Sequence, residues 1–335
     1  MKLFFLHLFQ ENTLYLNTLA TYLQAFKKLK RGNTPYGLAP HKPILLLSVL
    51  QGFQNKLITQ NQISITPELV FLFKANWTAL VNTPFVCNFA LPFFHLHKEK
   101  PKYWHLVPKS GFEVMLSAME SISSFTALNG AVQYATLDED LFELMKETTS
   151  NGILQQFLID TYFPSTKSNF SNSSGEQKKL FDDLEGKILH EPATAYRAEI
   201  KKLIAEQNEE EIFIRGSLFK REIPKIYNNT CCISGMKIDA VINVSMIDAC
   251  HIVPFAESYD DTITNGIALC PNLHRAFDRG LISIDDDYRV VISNKFKEET
   301  SNYGIGIFAG KQINLPANPK FYPSLENFGR HRGRF

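Results

Sequence analysis

The sequence predicts an α+β protein: a mixed helical and β N-terminal domain, a linker, and a C-terminal domain built on two short strands and a helix, with further helices flanking it. Three observations carry this expectation. Apolar residues at helical spacing recur through the first 163 positions. The stretch 165–177, STKSNFSNSSGEQ, is rich in serine and asparagine and has nothing to bury, as a linker would. Short β-type runs then alternate with turns and one short helix between 227 and 293. A length of 335 residues allows two separate cores. The predicted domains are therefore 1–164 and 179–335, with 165–178 between them and the compact part of the second at 227–293.

The elements follow in chain order. Leu16, Leu19, Leu23 and Phe26 give an amphipathic first helix. A Gly/Pro-rich turn, RGNTPYGLAP, leads to HKPILLLSVLQGF, where Pro43 suits a first helical turn and the run at 44–47 demands burial on most sides. Thr66-Pro67 opens another helix in ITPELVFLFKANW. LPFFHLHKEKPKYWHLV reads as two aromatic-rich strands joined by a charged turn, and helices are expected over 138–148 and 151–163. Charged helical stretches broken at Pro192 follow the linker. No internal repeat is visible.

Bulk properties exclude more than they identify. The formal net charge is +1, so any nucleic-acid surface must come from local clusters such as KKLKR at 27–31. Four of the five cysteines lie within 231–270, which suggests intracellular thiols or a metal site rather than a disulfide framework. MKLFFLHLFQEN lacks a small-residue cleavage site and is too short to span a bilayer, and no later run is long enough. The expectation is a soluble cytoplasmic protein with no membrane partner.

The chemistry concentrates in DACHIVPFAESYDDTITNGIALCPNLHRAFDRGLISID, starting at Asp248. His251 follows a carboxylate on a strand that Pro254 ends, an Asn265-Gly266 turn comes after a polar loop, and His274 lies nine residues beyond Asn265. PNLHRAFD opens with proline and fits a short helix, so His274 and Asp278 share one face. This spacing can support metal-assisted phosphodiester hydrolysis. An imidazole with a pKa of about 6.5 suits a general base near neutral pH, and a divalent cation can neutralise the phosphate and the leaving oxygen. Asp248, His274 and Asp278 offer groups to hold it. Taken alone, His251 would be read as a packed histidine, Asn265 as a turn residue and Asp278 as a partner of Arg275 or Arg279. The joint spacing moves His251 to a catalytic reading.

These residues resemble the HNH (ββα-metal) endonuclease motif, in its variant with a small residue before the first histidine. His251, Asn265 and His274 match its three positions, flanked by a Cys-x-x-Ser-Gly turn at 231–235 and by HRAFDRGLISID. The resemblance implies that His251 is the general base, that Asn265 braces the loop and orients it, and that His274 binds one divalent metal, Mg²⁺ or Mn²⁺. Many such proteins carry Asp or His where Cys250 stands. Asp248, on the same strand face, is expected to supply that oxygen. Some also hold a structural zinc with two Cys-x-x-Cys pairs. Here Cys231 and Cys270 keep the first place of each, but Ser234 and Leu273 take the second, so no structural zinc is expected.

In the N-terminal half, APHKPILLL, LPFFHL and YWHL resemble the sulfur-binding domain of phosphorothioate-dependent restriction enzymes, which also precedes an HNH nuclease. The resemblance implies DNA contact through His41, Lys42, Pro92 and the adjoining Phe93. Leu91 stands where that family often has an aromatic residue. An ordinary helix start and a β core are the competing readings of these residues. Together the two resemblances imply a restriction-type endonuclease acting on double-stranded DNA, either modification-dependent (phosphorothioate included) or sequence-specific. A homodimer would let a one-strand site cut both strands; sequential nicking by a monomer is the alternative. A non-cleaving DNA-binding regulator that keeps the HNH fold as scaffold is the reading from another class. RNA or branched DNA remains open as substrate.

Overall fold

The apolar run at 44–47 marks the centre of the N-terminal unit. In the computed structural model of the chain, which describes residues 2–170, 174–238, 245–299, 301 and 304–333, Ile44, Leu45, Leu46 and Leu47 are wholly buried. The chain folds into two compact units, Met1–Phe181 and Asp182–Phe335.

In the first unit, α1 (Lys2–Lys27) turns Leu19, Tyr22 and Phe26 inward, while Leu16 stays 60% exposed. The short hairpin β1 (Asn33–Thr34) and β2 (Gly37–Leu38) leads to α2 (His41–Gln54). Helix α2 is apolar almost all round because it packs inside a helical shell. Around it lie α3 (Pro67–Leu80), α4 (Ala90–His95), α7 (Glu139–Lys146) and α8 (Thr148–Tyr162). Thr66 caps α3 by accepting from Leu69 N, with Pro67 at the first helical position. An antiparallel sheet of order β3–β5–β4 completes the unit, from β3 (Ile63–Ser64), β4 (Trp104–Pro108) and β5 (Val132–Leu137). Helices α5 (Glu113–Ala118) and α6 (Phe125–Ala131) connect β4 to β5.

The aromatic run LPFF requires a correction: it is helical, in α4, and only the second of the two expected strands forms, as β4. Asn88 Oδ1 accepts from Leu91 N, Pro92 sits in the first turn, and Phe93 and Phe94 are wholly buried. Burial of the aromatic rings from a helix overrides their strand propensity. The Ser/Asn-rich stretch read as a linker is tied down at its start. Thr166 is buried and its hydroxyl donates to Leu80 O at 2.7 Å, and Lys167 pairs with Asp160. Residues 171–173 of that stretch lie outside the described residues, and α9 (Ser174–His190) runs through its end.

The second unit continues with α10 (Ala193–Ala205) and α11 (Glu209–Ile226). Then come an antiparallel hairpin of β6 (Asp248–His251) and β7 (Gly266–Leu269), with the short α12 (Phe255–Ser258) in its loop, and α13 (Pro271–Asp278). A second hairpin, β8 (Ile282–Ile284) and β9 (Val290–Ile292), and α14 (Leu325–Arg332) close the unit. Part of the expected compact region, 239–244, lies outside the described residues. Phe219, Ile223, Ile267, Leu269, Phe277 and Phe328 form the core beneath the first hairpin. Among the described residues, no helix is long and apolar enough to cross a membrane.

Candidate active site

The β6–β7 register sets the site. His251 pairs with Gly266 and Cys250 with Ile267, so alternate residues of β6 face opposite sides of the hairpin. Asp248 and Cys250 face α13; His251 faces α11, where its ring stacks on Phe219 at 4.0 Å and 8°. Gly266 makes that stack achievable. A Cβ there would lie 2.3 Å from Ile223 Cδ1 and 2.7 Å from Phe219 Cε2.

One ring nitrogen of His251 is committed. Nε2 lies 2.7 Å from Asp261 Oδ1, and a carboxylate only accepts, so Nε2 is the donor and, in the neutral imidazole, Nδ1 keeps the lone pair. Asp261 is 4% exposed in its side chain, and its second oxygen accepts from Tyr196 OH at 3.4 Å. Burial, then the neighbouring Asp261 charge, raises the Tyr196 phenol, which keeps it a donor. The adjacent Asp260 turns elsewhere, to Arg197 Nε at 3.3 Å and to Thr262 N and Oγ1 at 2.9 and 2.6 Å.

Asn265 is wholly buried and ties the loop after β6. Its Nδ2 donates to Val253 O and Asp260 O at 2.9 and 2.8 Å; its Oδ1 accepts from Val253 N at 3.0 Å and Asn327 Nδ2 at 3.1 Å. The asparagine thus braces both ends of the segment that carries Asp260 and Asp261.

His274 stands between two carboxylates. Its Nδ1 lies 3.2 Å from Asp248 Oδ2, and its Nε2 lies 3.5 Å from Asp278 Oδ2. If Nδ1 donates to Asp248, Nε2 and Asp278 are two electron-pair donors facing each other, an arrangement a cation would bridge. Asp248 then occupies the place of a carboxylate that orients a metal-ligating histidine. Donor atoms of Cys250, His274 and Asp278 lie within 4.8 Å of one another. Burial first, and Asp278 next, push the Cys250 thiol well up. A thiol is a poor partner for a hard cation, whereas carboxylates with an imidazole fit Mg²⁺ or Mn²⁺.

The other thiols of the second unit, Cys231, Cys232 and Cys270, are interior. Hydrogen bonding with the Cys270 thiol draws Cys231 down to about 5, and the same contact raises Cys270. Burial raises Cys232 well above its ordinary value. In the first unit, His41 and Lys42 open α2, and Pro92 and Phe93 lie on α4, which packs against it, but all four are buried or nearly so. Burial lowers the His41 imidazole, whose Nε2 meets Val86 O at 3.0 Å. The Lys42 ammonium is paired with the buried Glu99 carboxylate. Phe93 packs edge-on against Trp104 at 5.2 Å. His41 Nε2 and the Lys42 ammonium are thus both engaged within the unit.

With strand, turn, strand and helix in place around His251, Asn265 and His274, the comparison with known families is decisive for this segment. Residues 231–285 match the HNH endonuclease family. The HNH domain so marked contains Asp261, whose partnership with His251 sequence reasoning missed; the only sign of it was the Asp-Asp pair between His251 and Asn265. Phe219 and Tyr196 lie upstream of the match, on helices that the sequence showed only as charged stretches. One solved structure, titled "Modification dependent TagI restriction endonuclease", is similar at 22% identity and a TM-score of 0.25, over 35% of this chain and 37% of that one. This chain therefore spans little more than a third of that protein, and a likeness at that score establishes no shared arrangement. No curated protein sequence matches the chain.

Proposed function

We propose that the chain is a DNA endonuclease that hydrolyses phosphodiesters in its HNH domain. The observation that carries this reading is His251, with Nε2 engaged by Asp261 and Nδ1 left out of that contact, on the hairpin-and-helix unit that also bears the Asp248–His274–Asp278 cluster. His251 Nδ1 takes a proton from the attacking water as its oxygen bonds to phosphorus. The bond from phosphorus to the leaving sugar oxygen breaks, and that oxygen leaves protonated by solvent. His274 and Asp278 would hold one divalent cation, Mg²⁺ or Mn²⁺, with Asp248 orienting His274 or adding an oxygen. The cation would supply charge neutralisation at the phosphate and leaving oxygen. Asn265 holds the loop that keeps Asp261 against His251.

In this reading 1–164 recognises DNA and 179–335 cuts it, as in restriction enzymes that read a modification, phosphorothioate among them, or a base sequence. Support for the reader role comes from the APHKPILLL and LPFFHL segments. The test is cleavage of matched plasmids with and without phosphorothioate, in Mg²⁺ and in Mn²⁺, by wild type and His251→Ala. Nicking that falls about 10²–10⁴-fold in the variant supports the assignment. Equal cutting by a folded variant overturns it, and equal cutting of both plasmids removes sulfur dependence.

A second reading, a DNA-binding regulator on a non-cleaving HNH scaffold, is favoured by one observation: a wholly buried cysteine, Cys250, stands beside His251 where a metal ligand is common. Absence of Mn²⁺ binding together with absence of nicking would select it.

A further inference from the structure

We infer that Asp261 is the positioning residue that holds His251 in its Nε2–H tautomer, and that Tyr196 and Phe219 keep this pair in place. The inference rests on the nuclease reading for its consequence, but its geometry stands without it. It extends the catalytic unit upstream of the family match, to α10 and α11.

Four observations converge. The 2.7 Å contact from His251 to Asp261 is a charge-assisted bond at full strength, and it lies in a place where water competes poorly. Asp261 needs partners because its side chain is buried, and the described partners are His251 and Tyr196. Asp260, next in the chain, shows what a purely structural carboxylate does here: it binds Arg197 and its own turn, and does not meet the imidazole. Finally, Phe219 lies flat against the His251 ring and removes the freedom to rotate out of the Asp261 contact.

Helix α11 is shaped for this. Gly216, three residues before Phe219, lies beside the carboxylate; a Cβ there would meet Asp261 Oδ2 at 3.5 Å, an ordinary contact. Gly266, opposite His251 in the ladder, leaves the space that Phe219 and Ile223 fill. On α10, the Tyr196 ring is held in turn by the Arg215 guanidinium at 5.3 Å, which pairs with Glu191 and Glu211. A buried carboxylate on one imidazole nitrogen leaves the other as the base, the arrangement that orients histidine in hydrolases of unrelated fold.

The test uses the full chain with ¹⁵N-labelled histidine, comparing wild type with Asp261→Asn, Asp261→Glu and Tyr196→Phe. In wild type at neutral pH, the His251 nitrogen resonances should report the Nε2–H tautomer, and Asp261→Asn should shift them towards a mixture. Plasmid nicking in Mn²⁺ should show kcat reduced about 100-fold or more in Asp261→Asn, with KM for the plasmid changed by less than about twofold. Asp261→Glu should recover part of the loss, and Tyr196→Phe should lose several-fold.

An Nδ1–H tautomer in wild type would overturn the inference. So would an unchanged kcat in Asp261→Asn, or a loss in kcat matched by an equal rise in KM and a lowered melting midpoint, which marks a merely structural residue. If wild type nicks no DNA, the nuclease reading has failed, and the tautomer of His251 decides the positioning claim by itself.

Discussion

Replacing Asn265 with alanine should open the loop that carries Asp261, and the structure sets the size of the effect. Three polar groups lose the side-chain amide: Val253 N–H, the Asp260 carbonyl and Asn327 Nδ2. The Val253 carbonyl is less affected because Ser258 Oγ still donates to it at 3.1 Å. Each orphaned buried group costs about 1–3 kcal/mol, which gives roughly 3–9 kcal/mol in all. Water entering the space left by the amide recovers part of this, so we expect about 3–5 kcal/mol. Hydrogen exchange over 252–266 reports the loop directly. At about 1.4 kcal/mol per tenfold, exchange at Val253 should accelerate by roughly 100-fold or more. An acceleration below about tenfold would refute the claim that Asn265 holds this loop.

Other expectations follow from particular contacts. Gly266→Ala drives a Cβ into Ile223 and Phe219, and should cost about 1–3 kcal/mol by overpacking; an unchanged thermal midpoint would show that the hairpin and α11 are less closely packed than described. Glu99→Ala strands the Lys42 ammonium, whose side chain is 11% exposed, and should destabilise the first unit by about 3–5 kcal/mol. Urea titration checks this, and a change under about 1 kcal/mol would mean that Lys42 reaches solvent readily. Glu147 caps α8 by accepting from Ser150 N and Thr149 N at 2.7 and 2.8 Å, bonds that hold its carboxyl down at about 2. A depressed carboxyl stabilises fully above its ordinary 4.5 and loses that contribution as pH falls towards 2. The gain is small because the group is exposed. Melting midpoints of wild type and Glu147→Gln should therefore converge between those pH values, and parallel curves would contradict the cap.

Local pattern made much of the fold legible. Pro67 behind Thr66 and Pro271 behind Cys270 open helices because a proline N–H is not missed in a first turn. The order of strand, turn, strand and helix over 248–278 was readable because each element there is short and bounded by its own turn residues. The aromatic run at 91–94 misled because aromatic rings suit a buried helix as well as a strand, and only the surrounding core chooses. The resemblance implied DNA contact through His41, Lys42, Pro92 and Phe93; their burial and the Glu99 partner of Lys42 lie in contacts distant along the chain.

By itself the sequence determined which chemical groups occur near His251 and in what order, because strand and helix periodicity place Asp248, Cys250, His274 and Asp278 without reference to anything distant. Only the tertiary structure decided how His251 is held. Its stacking partner Phe219 and the Tyr196 hydroxyl behind Asp261 come from helices far upstream, and the approach of Phe219 depends on side-chain packing around Gly266. Packing of that kind leaves no periodic trace in the sequence, since the space a glycine admits is defined by the residues that fill it.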